Sequence, residues 1–168
     1  MPRAISYFVS YAHADKAQAQ ALMALLAPRL AISSDYQFNG WIDDDIPLGS
    51  RWTDEIDKAL LDCDFGLLLL SPAFFASHFI RRDELPTFIE QVRQPGQGAV
   101  TRLRKPVIPV QLKPIPLDGS ADLAGLEQLQ VFTDRESRAF HQLRGHLKDR
   151  FADELVSATL RRLRTLFP

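Results

Sequence analysis

Glu84 is the side chain of this sequence best placed to do chemistry. It closes the stretch Ser71-Pro72-Ala73-Phe74-Phe75-Ala76-Ser77-His78-Phe79-Ile80-Arg81-Arg82-Asp83-Glu84, which follows the apolar run Phe65-Gly66-Leu67-Leu68-Leu69-Leu70 and precedes Leu85-Pro86. Such an apolar run is a strand interior in a sheet covered on both faces. The C-terminal ends of these strands are where open α/β sheets bind ligands. A carboxylate carried to that edge on a loop ending in proline is a site candidate. The competing description is a solvated charge cluster, Arg81 to Glu84, on a surface turn. Spacing alone leaves the two level.

The rest of the chain supplies the elements that would position this stretch. Ala4–Tyr11 is rich in β-branched and aromatic residues and reads as a first strand. Asp15 suits the N-cap of a helix running to about Arg29. Phe38–Ile42 is a short second strand, followed by a loop over Asp43–Ser50. Arg51–Leu61 places Trp52, Ile56, Ala59 and Leu60 at helical spacing, and Phe65–Leu70 is the third and most central strand. Phe74 and Phe75 read as core. Pro72–Ser77 fits one helical turn, and Pro86–Val92 fits a helix with proline at its first position. Gln94-Pro95-Gly96-Gln97-Gly98 is a turn. A fourth strand over Pro106–Leu112, a short fifth over Leu129–Phe132 and a last helix over Phe151–Leu166 complete the plan. Alternation of this kind predicts an α/β fold of flavodoxin-like type, a central five-stranded parallel sheet with helices on both faces.

Composition narrows the function classes. The chain has 168 residues, 46% hydrophobic and 24% charged, with a formal net charge of −1. That is ordinary globular composition for a single domain spanning 1–168, and it gives no global electrostatic case for direct nucleic-acid binding. The one cysteine, Cys63, allows no disulfide framework and no zinc spacing, and no metal site is expected. The first residues lack the basic flank and apolar stretch of a signal peptide. No apolar run approaches the ~20 residues of a membrane span, so a soluble cytoplasmic protein with no membrane partner is expected. There is no Gly-x-Gly-x-x-Gly, no Walker-type phosphate loop and no Gly-x-Ser-x-Gly elbow. A phospho-receiver domain needs an aspartate at the end of its third strand, where this chain has Leu70-Ser71.

Three segments in order resemble the Toll/interleukin-1 receptor (TIR) domain, in its bacterial, NAD-cleaving form. Tyr7-Phe8-Val9-Ser10-Tyr11-Ala12-His13-Ala14-Asp15 resembles its first box. Trp41-Ile42-Asp43-Asp44-Asp45-Ile46-Pro47-Leu48-Gly49-Ser50-Arg51-Trp52 resembles the second strand and the loop after it, with Trp52 and Ile56 matching the family's Trp-x-x-x-Ile. Leu70-Ser71-Pro72-Ala73-Phe74-Phe75-Ala76-Ser77 resembles the segment after the third strand, with Glu84-Leu85 matching the Glu-Leu beyond it. Many NAD-cleaving members place Trp four residues before the glutamate. This chain has Ile80 there and Phe79 five before, so the helix start is expected to be one residue longer, with Phe79 filling the same space.

The resemblance implies cleavage of the nicotinamide–ribose bond of NAD+, which is then substrate and not cofactor, so no cofactor is expected. It gives Glu84 the catalytic role, with Asp83 the alternative, because Leu85 follows Glu84 as in the family pattern. The helix start at Pro86, together with Arg81 and Arg82, is expected to favour ionised Glu84. Substrate contacts are implied for Ser10, Tyr11 and His13 on the loop after the first strand, and for Asp45. Ser77, Phe79 and Arg81 are implied in the same role, Arg81 toward the diphosphate. Trp52 is a packing anchor or a further contact, and Asp15 a helix cap. The resemblance also implies that Ile46, Pro47 and Leu48 dock against other TIR domains. Activation by TIR–TIR assembly, with a fused or separate sensor domain, and a role in bacterial antiphage defence follow from it. The alternative is a non-enzymatic TIR adaptor or host-mimicking interaction module.

Overall fold

The computed structural model describes residues 1–43 and 48–168. The chain runs β1 (Arg3–Ser10), α1 (Lys16–Ala31), β2 (Tyr36–Trp41), α2 (Trp52–Asp62), β3 (Phe65–Leu70), α3 (Pro72–Ala76), a π-helical turn (Ile80–Glu84), α4 (Leu85–Phe88), β4 (Ile89–Gln94), β5 (Gly98–Leu103), β6 (Val107–Gln111) and α5 (His146–Leu166). Four of the strands form a parallel sheet in the order β2-β1-β3-β6. All six residues of β3 are buried, as expected of a strand with neighbours on both sides and helices on both faces. Residues of β1 alternate between two cores. Ile5, Tyr7 and Val9 join α1 and α5 on one face, while Phe8 joins Ile56, Leu60, Phe74 and Phe88 on the other. Ser10 shares the period-2 face of Phe8, which is the face covered by α2 and by the segment ending in Glu84.

The expected fifth strand is reduced to a single parallel bridge, Phe132 to Val110. Phe132 N–H donates to Pro109 O at 2.8 Å and Gln111 N–H donates to Phe132 O at 2.9 Å. The next rung would need a backbone donor from residue 109, and a proline has none. The sheet therefore has four full strands.

The expected helix over Pro86–Val92 stops at Phe88. Ile89–Gln94 instead pairs antiparallel with Gly98–Leu103, Ile89 opposite Leu103 and Gln94 opposite Gly98. The turn lies where the sequence placed one, and Gly96 (φ +79°) and Gly98 (φ +69°) take the left-handed backbone that glycine tolerates. The second strand of this hairpin, with Val100 and Thr101, was not foreseen, and pairing with it converts Ile89–Gln94 to strand. Among the described residues no helix is long and apolar enough to cross a membrane.

Gly66 in β3 lets the Phe88 ring close on the sheet just beyond the segment that carries Glu84. A β-carbon there would sit 2.7 Å from that fully buried ring. Gly66→Ala should therefore lower unfolding free energy by about 1–3 kcal/mol, read as a lower urea midpoint at unchanged m-value.

Candidate functional site

A cavity of about 480 Å³ opens at the C-terminal edge of the sheet, where β1 and β2 end. Glu84, only 7% exposed, lines it. Ser10, at the end of β1 and buried, donates its Oγ–H to Glu84 Oε1 at 2.5 Å. This bond joins residues 74 positions apart in sequence. Glu84 Oε2 has no hydrogen bond from the described residues.

The route to Glu84 begins at Ser71, whose Oγ accepts the Phe74 N–H and starts α3. Ser77 then accepts the Ile80 N–H through its Oγ at 3.2 Å. From Ile80 to Glu84 the backbone widens into a π turn, with Leu85 N–H donating to Ile80 O five residues back. Single π turns recur at functional sites because they re-aim side chains within a helix. The wide turn accounts for the spacing read from the sequence. Phe79 and Glu84, five residues apart, are one turn apart, and both line the cavity. Asp83 points elsewhere, paired with Arg82 at 3.0 Å.

Aromatic rings form much of the remaining wall. Phe8 and Trp41 stack with centroids 5.0 Å apart, and Trp52 meets Phe79 at 5.4 Å. Trp52 is 53% exposed and lies one helical turn before Ile56, which is buried, so it stands at the mouth and not within the core. Tyr11 donates its hydroxyl to Asp43 Oδ1 at 2.6 Å, and His13 Nε2 lies 3.3 Å from Asp43 Oδ2. Asp43 is the first of three consecutive aspartates and had no expected role. Its place two residues beyond the end of β2 was the available signal, since that is nearest the sheet edge. Trp41, Phe8 and Ile80 were likewise missed, being indistinguishable from core in the sequence.

Three expectations are corrected. The Glu84 carboxyl is pushed up to about 7, chiefly by burial. Its hydrogen bond from Ser10 pulls the other way, and Asp43 and Asp83 push it further up. The arginines expected to favour its ionised form are engaged elsewhere: Arg81 with Asp122 Oδ2 at 2.7 Å and Arg82 with Asp83. Arg81 accordingly does not line the cavity. Asp15 makes no capping hydrogen bond to α1. Its buried carboxylate accepts from Ser71 Oγ and pairs with Lys113 Nζ at 2.6 Å, tying together the ends of β1, β3 and β6. Lys113 escaped notice, although a lysine just past a strand end was visible. The expected roles of Asp45, Ile46 and Pro47 lie outside the described residues. Leu48 is described and fully exposed.

A family model of the TIR domain matches residues 8–144. The chain belongs to the TIR domain family. Comparison with curated proteins gave no significant match. Within this TIR domain, Tyr11, His13, Asp43, Trp52, Ser77, Phe79 and Glu84 line one cavity, while Ser10 does not line it and is joined to it only through its hydrogen bond to Glu84. Among the described residues no group of three or more His, Cys, Asp or Glu is arranged to hold a metal ion.

Two stability outcomes follow from this geometry. Glu84 titrates near 7 when folded against an ordinary 4.5, so the folded state holds its proton more tightly than the unfolded chain. Stability should therefore fall as pH rises from about 4.5 to 7, by roughly 3 kcal/mol in total. Glu84→Gln removes this slope, and urea titrations at pH 4 and pH 8 should show the variant gaining on the wild type only at the higher pH. Lys113→Met leaves the Asp15 carboxylate buried without its counter-charge and should cost about 2 kcal/mol, tempered by the partial exposure of Lys113. Adding Asp15→Asn to Lys113→Met should restore part of that loss.

Proposed function

We propose that this TIR domain is an NAD+ nucleosidase that releases nicotinamide, by hydrolysis or by cyclisation. The observation that supports the reading is a buried carboxylate, Glu84, held by Ser10 in an aromatic-walled cavity large enough for a small ligand. In the reaction, the C–N bond between ribose and the pyridinium breaks, and its electron pair leaves with the ring. Nicotinamide departs neutral and needs no proton. The ribose is left with oxocarbenium character, and its positive charge is what a nearby carboxylate stabilises. Water then adds its oxygen at that carbon and gives up a proton, for which the carboxylate is the natural acceptor. In the cyclising variant a ring nitrogen of the adenine takes the place of water.

A carboxyl that titrates near 7 is half protonated at neutral pH. A cationic pyridinium beside it favours the ionised form. The proposal extends to a role as effector in bacterial antiphage defence and cell-death signalling, controlled by a fused or separate sensor and switched on when TIR domains assemble.

Nicotinamide release from NAD+, followed by chromatography, tests the enzyme reading. Activity of the wild type should rise with pH through about 7 as Glu84 ionises. Glu84→Gln should fold and lose about 100-fold or more in rate. Equal activity in that variant would remove Glu84 from the chemistry.

A second reading, that of a TIR adaptor without enzymatic activity, draws on the full exposure of Leu48 beside the loop after β2. An apolar side chain so displayed suits contact with a neighbouring domain. In the enzyme reading, specific activity rises with protein concentration and Leu48→Asp flattens the rise. Concentration-dependent assembly without nicotinamide release would favour the adaptor.

A further inference from the structure

We infer that the cleft between β6, residues 130–133 and α5 binds a small N-acyl amino acid, a carboxylate with an N–H one carbon away and an apolar body. This cleft shares no lining residue with the Glu84 cavity, and the inference does not rest on the nucleosidase reading. Its volume is about 340 Å³, within the range of small-ligand sites. The interruption at Pro109 creates it. Alternate residues of β6 bond to β3, so Val107, Pro109 and Gln111 turn their backbone groups outward. Phe132 takes the outward groups of Pro109 and Gln111. Those of Val107 are left over, for neither its N–H nor its C=O bonds to any described residue. An unpaired strand donor and acceptor therefore border the cleft.

The helix contributes Leu155, Ala158, Thr159 and Arg162, whose i, i+3, i+4 and i+7 spacing sets them on one face of α5. Thr159 is 6% exposed, and its hydroxyl has no hydrogen-bond partner among the described residues. The Arg162 guanidinium makes no ion pair or hydrogen bond with them either. It is the one ionisable side chain in the described lining, so the cleft offers positive charge with no carboxylate to neutralise it. The Glu84 cavity has the reverse character, with Asp43 and Glu84 in its lining. These groups define the ligand. The outward N–H and C=O of Val107 match the C=O and N–H of one amino-acid residue, as in an antiparallel rung. A carboxylate suits the free guanidinium. Leu155, Ala158 and Phe132 leave apolar surface for an aliphatic side chain. An acylated amine keeps its N–H for the Val107 carbonyl and sets no second cation against Arg162.

The probe is N-acetyl-leucine, titrated into the intact protein and followed by amide NMR and calorimetry. Chemical-shift changes should centre on Val107 and Ile108. With saturating probe the Val107 amide proton should exchange about tenfold more slowly, because it gains an acceptor. N-acetyl-leucinamide, which lacks the charge, should bind about tenfold more weakly than the acid. In Arg162→Gln the acid should fall to the level of the amide, and the amide should bind as it does to the wild type. Arg162 is exposed, so this variant should fold normally, as circular dichroism will show. N-acetyl-N-methyl-leucine, which lacks the N–H, should lose about fivefold.

Equal binding of acid and amide would overturn the inference. So would shift changes centred on Glu84 and Phe79, or none at millimolar probe. Shifts at Val107 that follow protein concentration without any probe would also overturn it, by giving the cleft to a second copy of the chain. A capped tripeptide ending in leucine that bound more than about tenfold tighter than N-acetyl-leucine would give it to a peptide terminus instead.

Discussion

Withdrawal of the Glu84 carboxylate from water, with the hydroxyl of Ser10 as its hydrogen-bond donor, is the constraint around which the site is built. A buried carboxylate with few partners is costly in its charged form, and the protein meets that cost by letting the group hold its proton up to about 7. The consequence is a side chain that changes charge near neutral pH. A cation beside it would stabilise its ionised form. The backbone accommodates this placement with a π turn, a wider and less common geometry than the α-helix, which aims Glu84 at Ser10 and keeps Phe79 on the same wall.

A second polar cluster joins the strand ends at the same sheet edge. Asp15, Ser71 and Lys113 follow three different strands, and their mutual bonds draw those strand ends together. Ser71 does two things at once, donating to Asp15 and accepting the Phe74 N–H that begins α3. The start of the segment leading to Ser77, Phe79 and Glu84 is thereby pinned to the ends of β1 and β6. A buried carboxylate satisfied by a hydroxyl and an ammonium is a demanding arrangement, because removal of either partner leaves a charge without compensation.

The parallel sheet explains why site residues so far apart in sequence meet. Each strand delivers its following loop to the same edge, so Ser10, Asp43, Ser71 and Lys113 converge through topology alone. The opposite face of the sheet is occupied by α1 and α5 packing on Ile5, Tyr7, Val9 and Leu69. The candidate site occupies one edge and one face of the sheet.

The sequence by itself determined the β/α alternation, the buried β3, the turn at Gly96 and the family pattern that led to Glu84, Ser10 and Phe79. Those features are local: they depend on hydrophobic period, on glycine and proline chemistry, and on motifs a few residues long. Tertiary structure decided the rest. Ile89–Gln94 became strand because a partner folded back onto it, and residues 129–132 fell short of a full strand because Pro109 lacks the donor for a second rung. Arg81 was drawn to Asp122 and away from the cavity, and Asp15 was drawn from helix capping to Ser71 and Lys113. The protonation state of Glu84 likewise depends on burial and on neighbours brought from β1 and from the loop after β2. Pairings of this kind span tens of residues and depend on which side chains the fold sets face to face, and no local pattern in the chain encodes them.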